Sequence, residues 1–167
     1  MQNELSNLSA KSEIKLNTEI KKVWKLFSKP SHLELFHPFC KSNKIICWNE
    51  QNKIDELTYL SGLVYERTIY NWEINKGFKL YIGKKKGKKS KVEWKLKSIN
   101  KMIMLTIKVN PYISDKFSLT VYNLLLRFYI IPSLNKYLDS VTKGIKFYLE
   151  NANMIEHNQF GSHKWFS

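Results

Sequence analysis

The hydrophobic period of this chain is two through its middle and becomes helical afterwards, and that switch limits what it can fold into. In Ser90–Ile99, Val92, Trp94 and Leu96 fall on one side, while Lys91, Glu93, Lys95 and Lys97 fall on the other. Alternation of this kind describes a strand with one buried and one wet face. Met102–Val109 repeats the pattern with Ile103, Leu105, Ile107 and Val109, across an Asn100-Lys101 turn. Asn43–Trp48, Glu56–Leu60, Val64–Ile74 and Phe78–Ile82 read as further short strands, broken at Asn49–Lys53 and at Asn75-Lys76-Gly77. After Pro132 the period lengthens: Leu134, Leu138, Val141, Ile145 and Tyr148 recur at three- and four-residue steps as far as Asn151. A long helix laid on the apolar face of an antiparallel sheet satisfies both periods, and the predicted class is α+β.

Two shorter segments precede the sheet. Lys11–Leu16 alternates weakly as a first strand. Asn17-Thr18 then offers a cap for a helix with Ile20, Val23, Trp24 and Phe27 on one face. A second short helix over His32–Phe36 ends at Pro38. Asp115–Ile131 is different: Phe117, Val121, Leu124 and Phe128 fill one helical face, and Leu119, Tyr122, Leu126 and Ile130 the opposite one. A helix apolar all round must be buried, paired or facing lipid.

The length of 167 residues suits one domain, and no repeat or Gly/Ser linker divides it. The expected division is an N-terminal extension over 1–10, a domain over 11–151 that includes the apolar segment 115–131, and an aromatic tail over 152–167. Three large aromatics in that tail, Phe160, Trp165 and Phe166, predict that it packs back on the domain, either over a cavity mouth or on the outer sheet. Met1–Ala10 lacks the basic start and apolar run of a secretory signal. Leu119–Leu134, the most apolar stretch, is interrupted by Asn123, Arg127 and Pro132, short of the roughly 18 apolar residues a spanning helix needs. Cys40 and Cys47 sit an odd number of residues apart, on opposite faces of a strand, which argues against a disulfide. A cytoplasmic protein is the expectation, with a peripheral membrane association left open.

With 28 Lys+Arg against 14 Asp+Glu, the chain carries a formal charge of +14. Only Arg67 and Arg127 are arginines, whereas nucleic-acid readers lean on arginine for bidentate contacts, so a nucleic-acid partner is disfavoured. Heavy use of Lys, Ile and Asn together also fits A/T-rich coding, without any anionic partner. Six lysines crowd into Lys84–Lys91. Lys84, Lys85, Lys86, Lys88 and Lys89 there form either a solvated hairpin tip or a patch for an anionic membrane.

The order of elements, with the opening stretch IKLNTEIKKVWKLFSKPSHLELFHPFC (Ile14 to Cys40), resembles the START/birch-pollen-allergen superfamily, also called SRPBCC or polyketide-cyclase-like. GLVYERTIYNW (Gly62–Trp72) and NQFGSHKWFS (Asn158–Ser167) are similar to an uncharacterised bacterial subgroup of it. The resemblance implies a helix-grip fold: a curved seven-stranded antiparallel sheet, two short helices and a long C-terminal helix, with an apolar cavity between sheet and helix. It implies binding or transport of a hydrophobic small molecule or lipid there, with a cyclase or dehydratase as the alternative, and it brings no catalytic set.

Strand parity places Tyr70, Trp72, Phe78 and Trp94 on the inward face, lining either a cavity or a filled core, with Leu138 and Val141 opposite on the helix. Glu66 shares that parity and would be a carboxylate in apolar surroundings, unless a bulge turns it out; Arg67 then points to solvent. Glu66 and His37 are the candidate groups to orient a ligand's polar head, or to act as acid and base in the enzymatic alternative. His32, His37, Cys40, His157 and His163 match no zinc spacing, and neither a metal nor a cofactor is expected. A membrane-apposed interaction protein, or a homodimer formed through 115–131, completes the set of expectations.

Overall fold

The computed structural model describes residues 8–167, so the expected extension over 1–10 lies, through residue 7, outside the described residues. Seven strands, β1 (Ala10–Leu16), β2 (Cys40–Trp48), β3 (Lys53–Tyr59), β4 (Val64–Glu73), β5 (Gly77–Gly83), β6 (Ser90–Ile99) and β7 (Met102–Asn110), form one antiparallel sheet in the order β1-β7-β6-β5-β4-β3-β2. The consecutive hairpins account for every neighbour pair except β1–β7, where the first strand returns to close the far edge. Between β1 and β2 lie α1 (Ile20–Ser28) and α2 (Leu33–Phe36). α1 begins at Glu19 without a side-chain cap, not on the expected Asn17-Thr18 pair.

After β7, α3 (Leu119–Leu125) runs through a π-helical turn (Leu126–Ile130) directly into α4 (Ile131–Asn151). Pro132 explains the turn. It lacks an N–H and its ring crowds the carbonyl four residues back, so the helix widens just before it, and the Ile131 N–H reaches the Leu126 carbonyl instead. One face of the apolar segment is absorbed within the chain: Tyr122 and Leu126 are buried against Leu8, Ile113, Leu119, Ile130 and Ile131. Those four opposite-face positions therefore do not form a self-pairing surface.

Leu138, Val141 and Ile145 of α4 bury against the inward sheet face, among them Leu80, Trp94, Leu105 and Ile107. At β1 the helix is pinned by Ser12, whose hydroxyl donates to Asp139 Oδ1 at 2.6 Å and shares a 3.1 Å bond with Thr142. Gly144 lets α4 approach α2, because a Cβ there would stand 2.0 Å from the Phe36 carbonyl oxygen. Among the described residues no helix is long and apolar enough to cross a membrane.

Candidate functional site

The parity of β4 decides what enters the interior. Its pairing with β3 sets Asp55 opposite Arg67 and Leu57 opposite Tyr65, and its pairing with β5 shifts register between Ile69 and Asn71. An extra residue inserted there flips the alternation, so Tyr65, Arg67 and Ile69 point inward before the bulge and Trp72 after it. Two expectations are overturned. Arg67, expected in solvent, is 2% exposed. Tyr70, expected inside, is 48% exposed and stacks on Tyr81 with centroids 4.5 Å apart. Glu66 turns to the outer face, where Lys89 Nζ meets its carboxylate at 2.5 Å.

Arg67 is held in place by Asp55 in a bidentate pair, Nε donating at 2.7 Å to Oδ1 and Nη2 at 2.6 Å to Oδ2. Burial works to raise the Asp55 pKa, but the guanidinium charge outweighs it and holds the carboxyl below its usual range. His32 stands beside the pair. Its Nδ1–H donates to the Lys29 carbonyl at 2.9 Å, which leaves Nε2 as a lone pair facing Arg67 Nη2 at 3.4 Å. A proton at Nε2 would point at a guanidinium in a dry site. Burial and that charge push His32 down to about 3.

A second polar chain runs from α2 to α4. The Phe39 N–H donates to His37 Nδ1 at 3.3 Å, so His37 carries its proton on Nε2 and gives it to the Tyr137 hydroxyl at 2.8 Å. Tyr137 meets the Tyr59 hydroxyl at 3.3 Å. Burial, then the Arg67 charge, lowers His37 to about 3, and burial raises Tyr59 and Tyr137.

These groups converge on a small cavity of about 70 Å³ between sheet and α4. His37, Tyr59, Arg67 and Tyr137 supply its polar lining; Leu57, Leu80, Trp94, Leu138, Val141 and Phe166 are among its apolar walls. Among the described residues no buried side-chain nitrogen or oxygen is left without a hydrogen-bond partner. If Tyr137 donates to Tyr59, the Tyr59 O–H is free to turn into the cavity. The volume holds a few waters, well short of the roughly 300 Å³ at which small-molecule pockets begin.

Directly outside lies an open groove of about 720 Å³, between the β5–β6 tip, the loop after β7, α3 and the C-terminal tail. Ile82, Val109, Leu134 and Phe166 line both spaces. The tail does pack back: the Ser61 hydroxyl donates to the Trp165 carbonyl at 2.9 Å, and His163 Nε2–H to the Ser133 carbonyl at 3.0 Å. It thereby seats Phe166 between cavity and groove.

Of the residues expected to meet a ligand, His37, Trp94, Leu138 and Val141 line the cavity. Phe78 and Trp72 instead belong to a filled aromatic layer under α1, with Phe78 stacked on Trp94 at 5.2 Å and Trp72 against Trp24 at 4.6 Å. Glu66 and His37 lie on opposite faces of the sheet, so they form no acid–base pair. Lys84 and Lys88 border the groove, Lys85 and Lys86 are exposed, and Lys89 is tied to Glu66. Burial pushes the Cys40 thiol up to about 12, which makes it a poor nucleophile. Among the described residues no group of three or more His, Cys, Asp and Glu is placed to hold a metal. Sequence reasoning missed Arg67, Tyr59 and Tyr137. Arg67 had one signal, as one of only two arginines in a lysine-rich chain.

Folds of this shape are known. A START superfamily protein from Mycobacterium smegmatis superposes with a TM-score of 0.68 at 9% identity, over 87% of this chain and 99% of that one. This chain adopts the START-like helix-grip fold. DynU16, a protein of the dynemicin biosynthetic locus, matches at TM-score 0.65 and 10% identity over 89% of this chain, which spans about half (49%) of that longer protein. The Aha1 dimer from Colwellia psychrerythraea gives 0.64 at 9% identity, over 86% of this chain and 96% of that one. No protein-family model matches the sequence, and no curated protein does so significantly. At these identities the START-like likeness is one of fold.

Proposed function

We propose that this START-like domain is a carrier or sensor of a hydrophobic small molecule or lipid, taken up through the groove and held between sheet and α4. The observation that carries the reading is the wall of four side chains, Ile82, Val109, Leu134 and Phe166, shared by a donor-bearing cavity and an open apolar groove. Movement of Phe166, on the penultimate residue of the chain, would join the two spaces.

The polar lining suits a ligand with an oxygen at one end. The Arg67 guanidinium and the Tyr59 hydroxyl border the cavity as donors, and Asp55 already neutralises the guanidinium, so a carbonyl or hydroxyl oxygen fits without demanding full charge. The rest of the ligand meets Leu, Val, Ile and aromatic side chains. Native mass spectrometry of the purified protein, followed by extraction and titration with a fluorescent fatty-acid probe, tests the reading. A co-purifying apolar adduct or saturable one-to-one probe binding that weakens in Arg67→Lys is expected. A clean apo mass together with no saturable binding overturns it.

A further inference from the structure

The second face of the apolar segment remains uncovered. Val121, Leu124 and Phe128 recur along α3 and the π-helical turn, with Phe117 in the loop just before the helix, and all are exposed, Phe128 at 77%. Exposed large apolar side chains grouped along one short segment mark a candidate interaction site. It is joined to the lysine-rich tip: Lys88 Nζ donates to the Ile113 carbonyl at 2.9 Å and to Asp115 at 2.5 Å, which ties the β5–β6 tip to the loop leading into α3. Asp115 and Glu66 are each paired with a lysine, so the exposed Lys84, Lys85 and Lys86 leave this end of the molecule strongly positive.

The geometry points to this face as a docking surface for an anionic lipid membrane, with Leu124 and Phe128 entering the interface and Lys84, Lys85 and Lys86 meeting the headgroups. The charge selects the occupant. An isologous pair of two copies through this face would bring both lysine-rich tips to one interface, like charge against like. A nucleic acid would use the lysines and leave Val121 and Leu124 in water. An anionic bilayer satisfies both, since apolar side chains sink into the headgroup boundary while cations face phosphate. The groove opens beside this face, lined by Lys84, Lys88 and Phe117, so docking would bring the groove to the lipid. The inference stands apart from the interior ligand: vesicle binding and ligand occupancy are measured separately, and either can fail alone.

Sedimentation with vesicles of phosphatidylcholine, with and without phosphatidylserine, provides the test. Binding is expected only with phosphatidylserine and should weaken steeply as salt rises. Each lysine near an anionic surface is worth about fivefold in affinity, so Lys84→Gln/Lys85→Gln/Lys86→Gln should lose about a hundredfold. Leu124→Ser/Phe128→Ser should also release the protein, with an unchanged thermal midpoint because both side chains are exposed. Wild-type-like vesicle binding by either variant overturns the proposal. So does equal binding to neutral vesicles, a preference for single-stranded nucleic acid over vesicles, or a stable dimer in solution that ignores them.

Discussion

The Phe166 ring stacks on Tyr59 with centroids 4.5 Å apart and an interplanar angle of 30°. The penultimate residue of the chain thus rests on an aromatic of β3, and the tail serves as a wall of the cavity. Phe166→Ala should lower stability by about 3 kcal/mol, the usual result of deleting a buried aromatic. The same variant should bind an environment-sensitive apolar dye more strongly, because cavity and groove would merge. Urea unfolding and dye titration measure the two effects.

The buried Arg67–Asp55 pair predicts an asymmetry. Arg67→Met leaves Asp55 charged and unpaired in the interior, a loss of about 3–5 kcal/mol, whereas Arg67→Met/Asp55→Leu removes both charges and should recover much of it. A double-mutant cycle by chemical denaturation checks this. Additive losses would mean that the two side chains are not coupled as their bidentate geometry requires.

Acid should unfold this domain early. His32 and His37 are held neutral down to about 3, while in the unfolded chain each takes a proton near 6.5. The unfolded state therefore binds more protons between those values. Stability is full above about pH 6.5 and falls as pH drops towards 3, by up to about 1.4 kcal/mol per pH unit for each histidine. Protonation of Asp55, whose carboxyl is held low by Arg67, adds to the loss at the acid end. His37→Gln should flatten the slope of the urea midpoint against pH by about half.

Gly144→Ala sets helix propensity against packing. Alanine is favoured in a helix interior by about 1 kcal/mol, but its methyl would sit 2.0 Å from the Phe36 carbonyl oxygen. Forcing α4 away from α2 should dominate, with a net loss of about 1–3 kcal/mol in thermal or urea unfolding.

Hydrophobic period and turn residues by themselves determined the order of elements, the antiparallel hairpins and the stripe of α4. Those follow from local rules, since the alternation in β6 and β7 admits one inward set. β4 was not legible in the same way. Val64, Glu66, Thr68, Tyr70 and Trp72 share a parity on paper, yet only Trp72 points inward, because the irregularity between Ile69 and Asn71 flips the alternation. Where a bulge falls depends on how β5 pairs, a relation between residues distant in sequence. The polar lining has the same origin: Arg67 needs Asp55 from β3 and His32 from the α2 approach, and Tyr137 needs His37 a hundred residues earlier. The chain also carries two apolar faces on 115–131 without saying which is covered. Only tertiary packing decided that, by burying Tyr122 and Leu126 and leaving Phe128 in water.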